Sequence, residues 1–129
     1  MKYTIPGDPI PLARCRYGNG RVWDAQKQVK YGCGIQLLNQ HNGKPLYSGP
    51  LQMDVTFFMA IPKTGAKSKL LGSYHYQRPD LDNLIKFISD VANGILYADD
   101  ATISFITSKK IYDRDPRIEF IITELKGRQ

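Results

Sequence analysis

The residues best equipped for chemistry in this chain stand together in 80-DLDNLIKFISDVANGILYADD-100, which holds five of its twelve acidic residues and one lysine. Asp82, Lys86, Asp90 and Asn93 follow one another at i, i+4, i+8 and i+11, so a helix would project them from one face. Asp80 falls in the first turn of that helix, and Asp99 and Asp100 come just past its end. An antiparallel return of the chain there would bring the pair beside Asp80 and Asp82. Each acid also has an ordinary use: a helix cap, an i,i+4 ion pair, a turn residue. Taken together, adjacent carboxylates call for a cation to relieve their repulsion. Hard divalent ions such as Mg²⁺ take carboxylate oxygens, and keep sites open for water and phosphate. Such an ion polarises a phosphoryl oxygen and activates water for attack, while a nearby lysine neutralises charge developing on the phosphate.

The surroundings carry the opposite sign. The formal net charge is +6, with +8 on residues 1–79, −4 on 80–100 and +2 on 101–129. A basic body suits a polyanionic partner, because Lys and Arg displace the counterions of phosphates. An acidic island would repel that partner unless a cation lay between them. A basic body with an acidic, lysine-bearing centre is the charge layout of a metal-dependent nuclease.

The elements that must position these residues read as one α+β domain spanning 1–129. Leu81, Leu84, Ile85, Ile88, Val91, Ala92 and Ile95 form an apolar stripe at spacings of three and four. This predicts a helix from Asp80 to Asn93-Gly94 or Tyr97, capped by Asp80. A second helix is expected over 24–39, with Asp24 as its cap and Val29, Cys33 and Leu37 facing inward. Alternation predicts strands at 50–61, 102–112 and 117–125, the last two joined by 113-DRDP-116, and a short strand opens the chain. The expected architecture is a mixed sheet of about four strands with two main helices. Residues 62–79 read as a basic loop. The two cysteines, Cys15 and Cys33, lack metal or redox spacing and are expected to be free thiols. No apolar run approaches a membrane span and no leader is visible, so a cytoplasmic protein with no membrane partner is expected.

The run 80-DLDNLIK-86, then Asp90, then 99-DDATI-103, resembles the RusA-type Holliday-junction resolvases, endodeoxyribonucleases of bacteria and their prophages. The segment 6-PGDPIPLARCRYGNGRVWD-24 is similar to the family's Pro- and Arg-containing N-terminal region, more loosely. The resemblance implies a homodimer acting on branched DNA, with two sites that nick symmetrically related strands of a four-way junction. It implies catalytic roles for Asp80, Asp82, Lys86 and Asp100: the three aspartates as ligands of Mg²⁺, with Mn²⁺ as the alternative ion, and Lys86 on the phosphate side. Asn83, Asp90 and Asp99 are expected to support them, Asp90 by orienting Lys86. It also allows the site to be completed only in the dimer. Where the family can carry arginines directly before the first aspartate, this chain has Pro79, with Arg78 one step back.

Basic residues expected on the DNA surface are Arg14, Arg16 and Arg21 beside Tyr17 in an N-terminal loop, Lys67, Lys69 and Arg78 in the second loop, and Lys110 on a later strand. Tyr74, His75 and Tyr76 read as a packed loop, with stacking on an unpaired base as the alternative. Two other functions compete with a resolvase: a flap or single-strand nuclease of the same fold, and a catalytically silent DNA-binding module whose acids only cap and turn.

Overall fold

A computed structural model of the chain describes every residue except 14–15, 64–66 and 127–129, with the side chains of residues 16, 67 and 68 also outside the description. Its elements are β1 (Lys2–Pro6), β2 (Arg16–Gly18), β3 (Arg21–Trp23), α1 (Lys27–His41), β4 (Leu51–Ala60), α2 (Lys67–Leu70), α3 (Leu81–Val91), a 3-10 turn (Asp100–Thr102), β5 (Ile103–Asp113) and β6 (Arg117–Glu124). Four strands form one sheet in the order β1-β6-β4-β5; the β2–β3 ribbon stands apart. β4 and β5 run parallel, which requires a crossover, and α3 lies on that crossover. The other pairings are antiparallel, so the sheet is mixed as expected.

Strict alternation along β4 buries Leu51, Met53, Val55, Phe57 and Met59 on one face. Tyr3 and Ile5 from β1 and Ile118, Phe120 and Ile122 from β6 join them. Against this face α3 packs Leu84, Phe87, Ile88 and Val91. Phe87 is not among the stripe residues named from the sequence, although it stands three after Leu84 and four before Val91; it too is buried, so α3 is covered over a wider arc than that stripe. Beyond α3 the chain stays in the core through Ala92, Leu96 and Tyr97, with the Tyr97 hydroxyl donating to the Ser89 carbonyl at 2.8 Å.

α1 departs from its expected pattern. It begins at Lys27, with Gln26 rather than Asp24 at the N-cap. Only Cys33, Gly34, Leu37 and His41 are buried along it, and Val29 faces out. Gly34 is there for closeness: a Cβ at this position would meet Ile95 Cδ1 at 3.0 Å. Cys33 is free and buried, and burial pushes its thiol pKa up. Cys15 lies outside the described residues. No helix among the described residues is long and apolar enough to cross a membrane.

Candidate active site

α3 opens where the sequence places it. Asp80 takes the N-cap position in extended conformation (φ −68°, ψ 143°), yet its side chain makes no capping hydrogen bond. Its carboxylate is exposed and unused by the helix it starts. Two residues on, Asp82 Oδ2 stands 4.0 Å from Lys86 Nζ, both side chains well exposed, a pair worth only a few tenths of a kcal/mol. The Asn83 carbonyl accepts from the Leu12 N–H at 2.9 Å and so ties the N-terminal segment across the start of α3.

At the other end of α3, Asp99 and Asp100 divide the work. Asp99 accepts from the Ala101 N–H at 3.2 Å and caps the 3-10 turn. Asp100 does no such local job. Burial first, then the hydrogen bond and charge of Asp99 and the charge of Asp90, hold its carboxyl above the ordinary range, while a hydrogen bond from Asn93 pulls the other way. Asp100, Asp90 and Lys86 line a cavity of about 480 Å³, with Ser89, Ile103 and Ile106 as its floor.

Asp90, expected to orient Lys86, is ion-paired with a different lysine. Its Oδ2 lies 2.9 Å from Lys30 Nζ, which also reaches Asp24 Oδ2 at 2.6 Å. Burial pushes the Lys30 ammonium pKa down, but the two carboxylates together outweigh it and the net shift is up. Lys30 therefore fastens α1 to the acidic end of α3. Sequence reasoning missed it because its partners are 6 residues away on one side and 60 on the other.

The oxygen-only donors suit a hard divalent ion. Carboxylates at Asp90, Asp99 and Asp100 crowd one another enough to raise a pKa, and the Asn93 Oδ1 beside them is a buried acceptor with no partner. Nevertheless, no three His, Cys, Asp or Glu side chains among the described residues converge closely enough to hold an ion. The chain turns back after α3 as expected, but this brings Asp100 to Asp90 and Lys86, and does not gather it with Asp80 and Asp82 into such a group.

The crowding has a consequence for stability. A folded carboxyl raised above 3.8 binds its proton more tightly than the unfolded chain does, so its contribution falls as pH rises from the ordinary carboxyl range through the raised value. Asp100→Asn removes that loss. At neutral pH the metal-free variant is expected to melt about 2 °C higher than the native chain, a modest shift because the group is only partly buried. Below the ordinary carboxyl range the difference vanishes. Mg²⁺ should raise the melting temperature of the native chain and leave Asp100→Asn unmoved; scanning calorimetry against pH, with and without the ion, checks both.

The expected DNA-facing residues fare unevenly. Arg21 sits exposed on β3, opposite Gly18, in a ribbon the sequence showed only as a loop. Lys69 and Arg78 are exposed. Arg14 lies outside the described residues, as do the side chains of Arg16 and Lys67. Lys110 commits its ammonium to the protein's own backbone, donating to the carbonyls of Gln77 and Pro79 at 2.7 Å each. His75 is partly covered, and burial followed by the Lys110 charge push its pKa down.

Residues 6–123 match the family described as Endodeoxyribonuclease RusA. The chain belongs to the RusA endodeoxyribonuclease family. It is 40% identical to the crossover junction endodeoxyribonuclease rusA of Lactococcus phage r1t, over 97% of this chain and 98% of that one. It is 28% identical to the uncharacterized protein YqaN of Bacillus subtilis (strain 168), over 98% of both. These relatives come from a bacterium and a phage, and the family match spans β2 to β5, most of β6, α3 and the whole acidic island.

Proposed function

We propose that this chain is a homodimeric, divalent-metal-dependent resolvase that cuts four-way DNA junctions by paired symmetric hydrolysis, with Mg²⁺ as the ion. The observation that carries this reading is that the fold leaves Asp80, Asp82 and Asp100 unspent. Asp99 caps a turn and Asp90 holds a lysine, whereas Asp80 makes no capping bond, Asp82 has only a loose, exposed pair with Lys86, and Asp100 shares hydrogen bonds only with its acidic neighbour Asp99 and with Asn93. In this reading these three would hold the ion, which when bound would supply Lewis-acid polarisation of the scissile phosphate and an activated water. Lys86, exposed between the two ends of α3, offers its ammonium to the phosphate. Arg21, Lys69 and Arg78 hold the flanking backbone.

Dimerisation is supported by the free edge of β5. Edge strands are usually short, or broken by Pro and Lys. β1, at the other edge, has five residues and includes both Lys2 and Pro6. By contrast, residues 101–108 contain no charge and no proline. Lys110 and Tyr112 use their outward backbone groups to pair with residues 72–75, so by alternation Ile106 and Ser108 point theirs the same way. No described strand covers them. Phe105 is 52% exposed and Ile106 39%, registered with Gln52 and Met53 and therefore on opposite faces. A second copy paired antiparallel about Ile106 would satisfy the backbone and cover both side chains.

The test is incubation of an end-labelled four-way junction with the chain, with and without Mg²⁺. Paired symmetric nicks that require the ion are expected. Binding without cutting, in either condition, would leave a DNA-binding module in place of an enzyme.

A further inference from the structure

Residues 72–77 take no part in holding an ion, yet they are fixed with some care. The Gly72 N–H donates to the Tyr112 carbonyl, the Tyr112 N–H to Ser73 and the His75 N–H to Lys110, each at 3.0 Å. Tyr74 forms an antiparallel bridge with Ile111. His75 turns inward, its ring centroid 5.0 Å from that of Tyr112. Just downstream, Lys110 grips the Gln77 and Pro79 carbonyls, so the segment is pinned on both sides.

An extended chain that turns His75 inward must turn its two neighbours outward. Tyr74 is 71% exposed and Tyr76 is 89% exposed. The packed loop expected from the sequence is thus true of His75 alone. Two large rings held out from a fixed backbone gain little for the fold, since aromatic side chains stabilise mainly through the area they bury. Their position is more telling. The segment runs directly into Arg78 and Asp80, and Lys110 ties that junction to β5.

We propose that Tyr74 and Tyr76 form a stacking platform for nucleobases that lose their neighbours at a DNA branch point, seating the scissile strand toward Asp80. This rests on the junction-cutting reading above. Every base has a π face, so such a platform tolerates sequence while discriminating structure: a continuous duplex offers it no free face. Phenol rings suit the task because their few rotatable bonds cost little to order. The two tyrosines are positioning residues, and the binding they contribute can be measured without the ion and without cutting.

The experiment compares native chain, Tyr74→Ala, Tyr76→Ala and the corresponding Phe variants in chelator, where nothing is cut. The probes are a four-way junction with 2-aminopurine at the branch point and a linear duplex with the same label. Each Ala variant is expected to bind the junction roughly tenfold more weakly, with duplex affinity within about twofold of native and a changed 2-aminopurine signal. The Phe variants should behave as native. Both rings are exposed, so unchanged melting temperatures will show that the fold is intact. Ala variants that bind and quench as the native chain does, or that weaken equally on both DNAs, would overturn the platform alone. A native chain that does not prefer the junction to the duplex would overturn the junction reading, and the platform with it.

Discussion

Asp82→Asn is expected to slow junction cleavage at least about a thousandfold while binding the junction as well as the native chain does, or better. The size follows from the role: losing a ligand of the ion that stabilises charge in phosphoryl transfer costs several kcal/mol of barrier, and each 1.4 kcal/mol is about tenfold in rate. The structure makes this loss easy to interpret. The Asp82 side chain is 69% exposed and, among the described residues, its only ion-pair partner is Lys86 at 4.0 Å. Breaking that pair costs the fold no more than about half a kcal/mol, far too little to account for lost activity. Tighter binding has its own cause, since removing a carboxylate near the DNA backbone removes a repulsion. Gel-shift titrations beside single-turnover cleavage measure both effects. Equal cleavage by variant and native chain would make Asp82 a solvated helix residue and leave the acidic island without a catalytic role.

What could be seen from the sequence follows from how local the physics is. The α3 stripe, its Asp80 start and the alternation of β4 and β6 are written in neighbouring residues, and the structure realises them within a residue or two. The difference in duty between Asp99 and Asp100 was legible only through family resemblance; a turn that needs one cap cannot say which acid supplies it. The β2–β3 ribbon did leave a signal. Asn19 and Gly20 both have positive φ (51° and 72°), the requirement of a two-residue hairpin turn that Asn-Gly satisfies. Strands of three residues with every β3 position exposed give no hydrophobic period to accompany it. The roles of Lys30 and Lys110 were beyond reach for another reason. Lys30 bonds a carboxylate 60 residues ahead, and Lys110 bonds carbonyls 31 and 33 residues behind, so each is defined by topology that no local window contains.

Mixing two inactive variants should restore cutting. Within one chain Asp80 and Asp82 stand at the start of α3 and Asp100 beyond its end, and no three acids among the described residues converge closely enough to hold an ion. Pairing β5 antiparallel with its copy about Ile106 reverses one chain against the other, so residue 102 of one lies level with residue 110 of its partner. Lys110 holds the carbonyl of Pro79, immediately before Asp80, at 2.7 Å. The two-fold axis stands across the sheet, which puts both α3 helices on the same side of it. Asp100 of each chain is thereby carried toward the Asp80 and Asp82 end of the other. If each site draws Asp80 and Asp82 from one chain and Asp100 from its partner, a dimer of Asp82→Asn with Asp100→Asn has one doubly damaged site and one intact site. If each site lies within a single chain, both are damaged. Random exchange at equal amounts then leaves about a quarter of all sites whole. The expected product is a single nick per junction at about that fraction of native rate, without the paired incision, from two preparations that are inert alone. Ile106→Cys should independently give a disulfide-linked dimer on oxidation, a readout that needs neither ion nor DNA. A crosslinked dimer with no recovery on mixing would keep the β5 interface and place each set of ligands within one chain; no crosslink and no recovery would move the interface elsewhere.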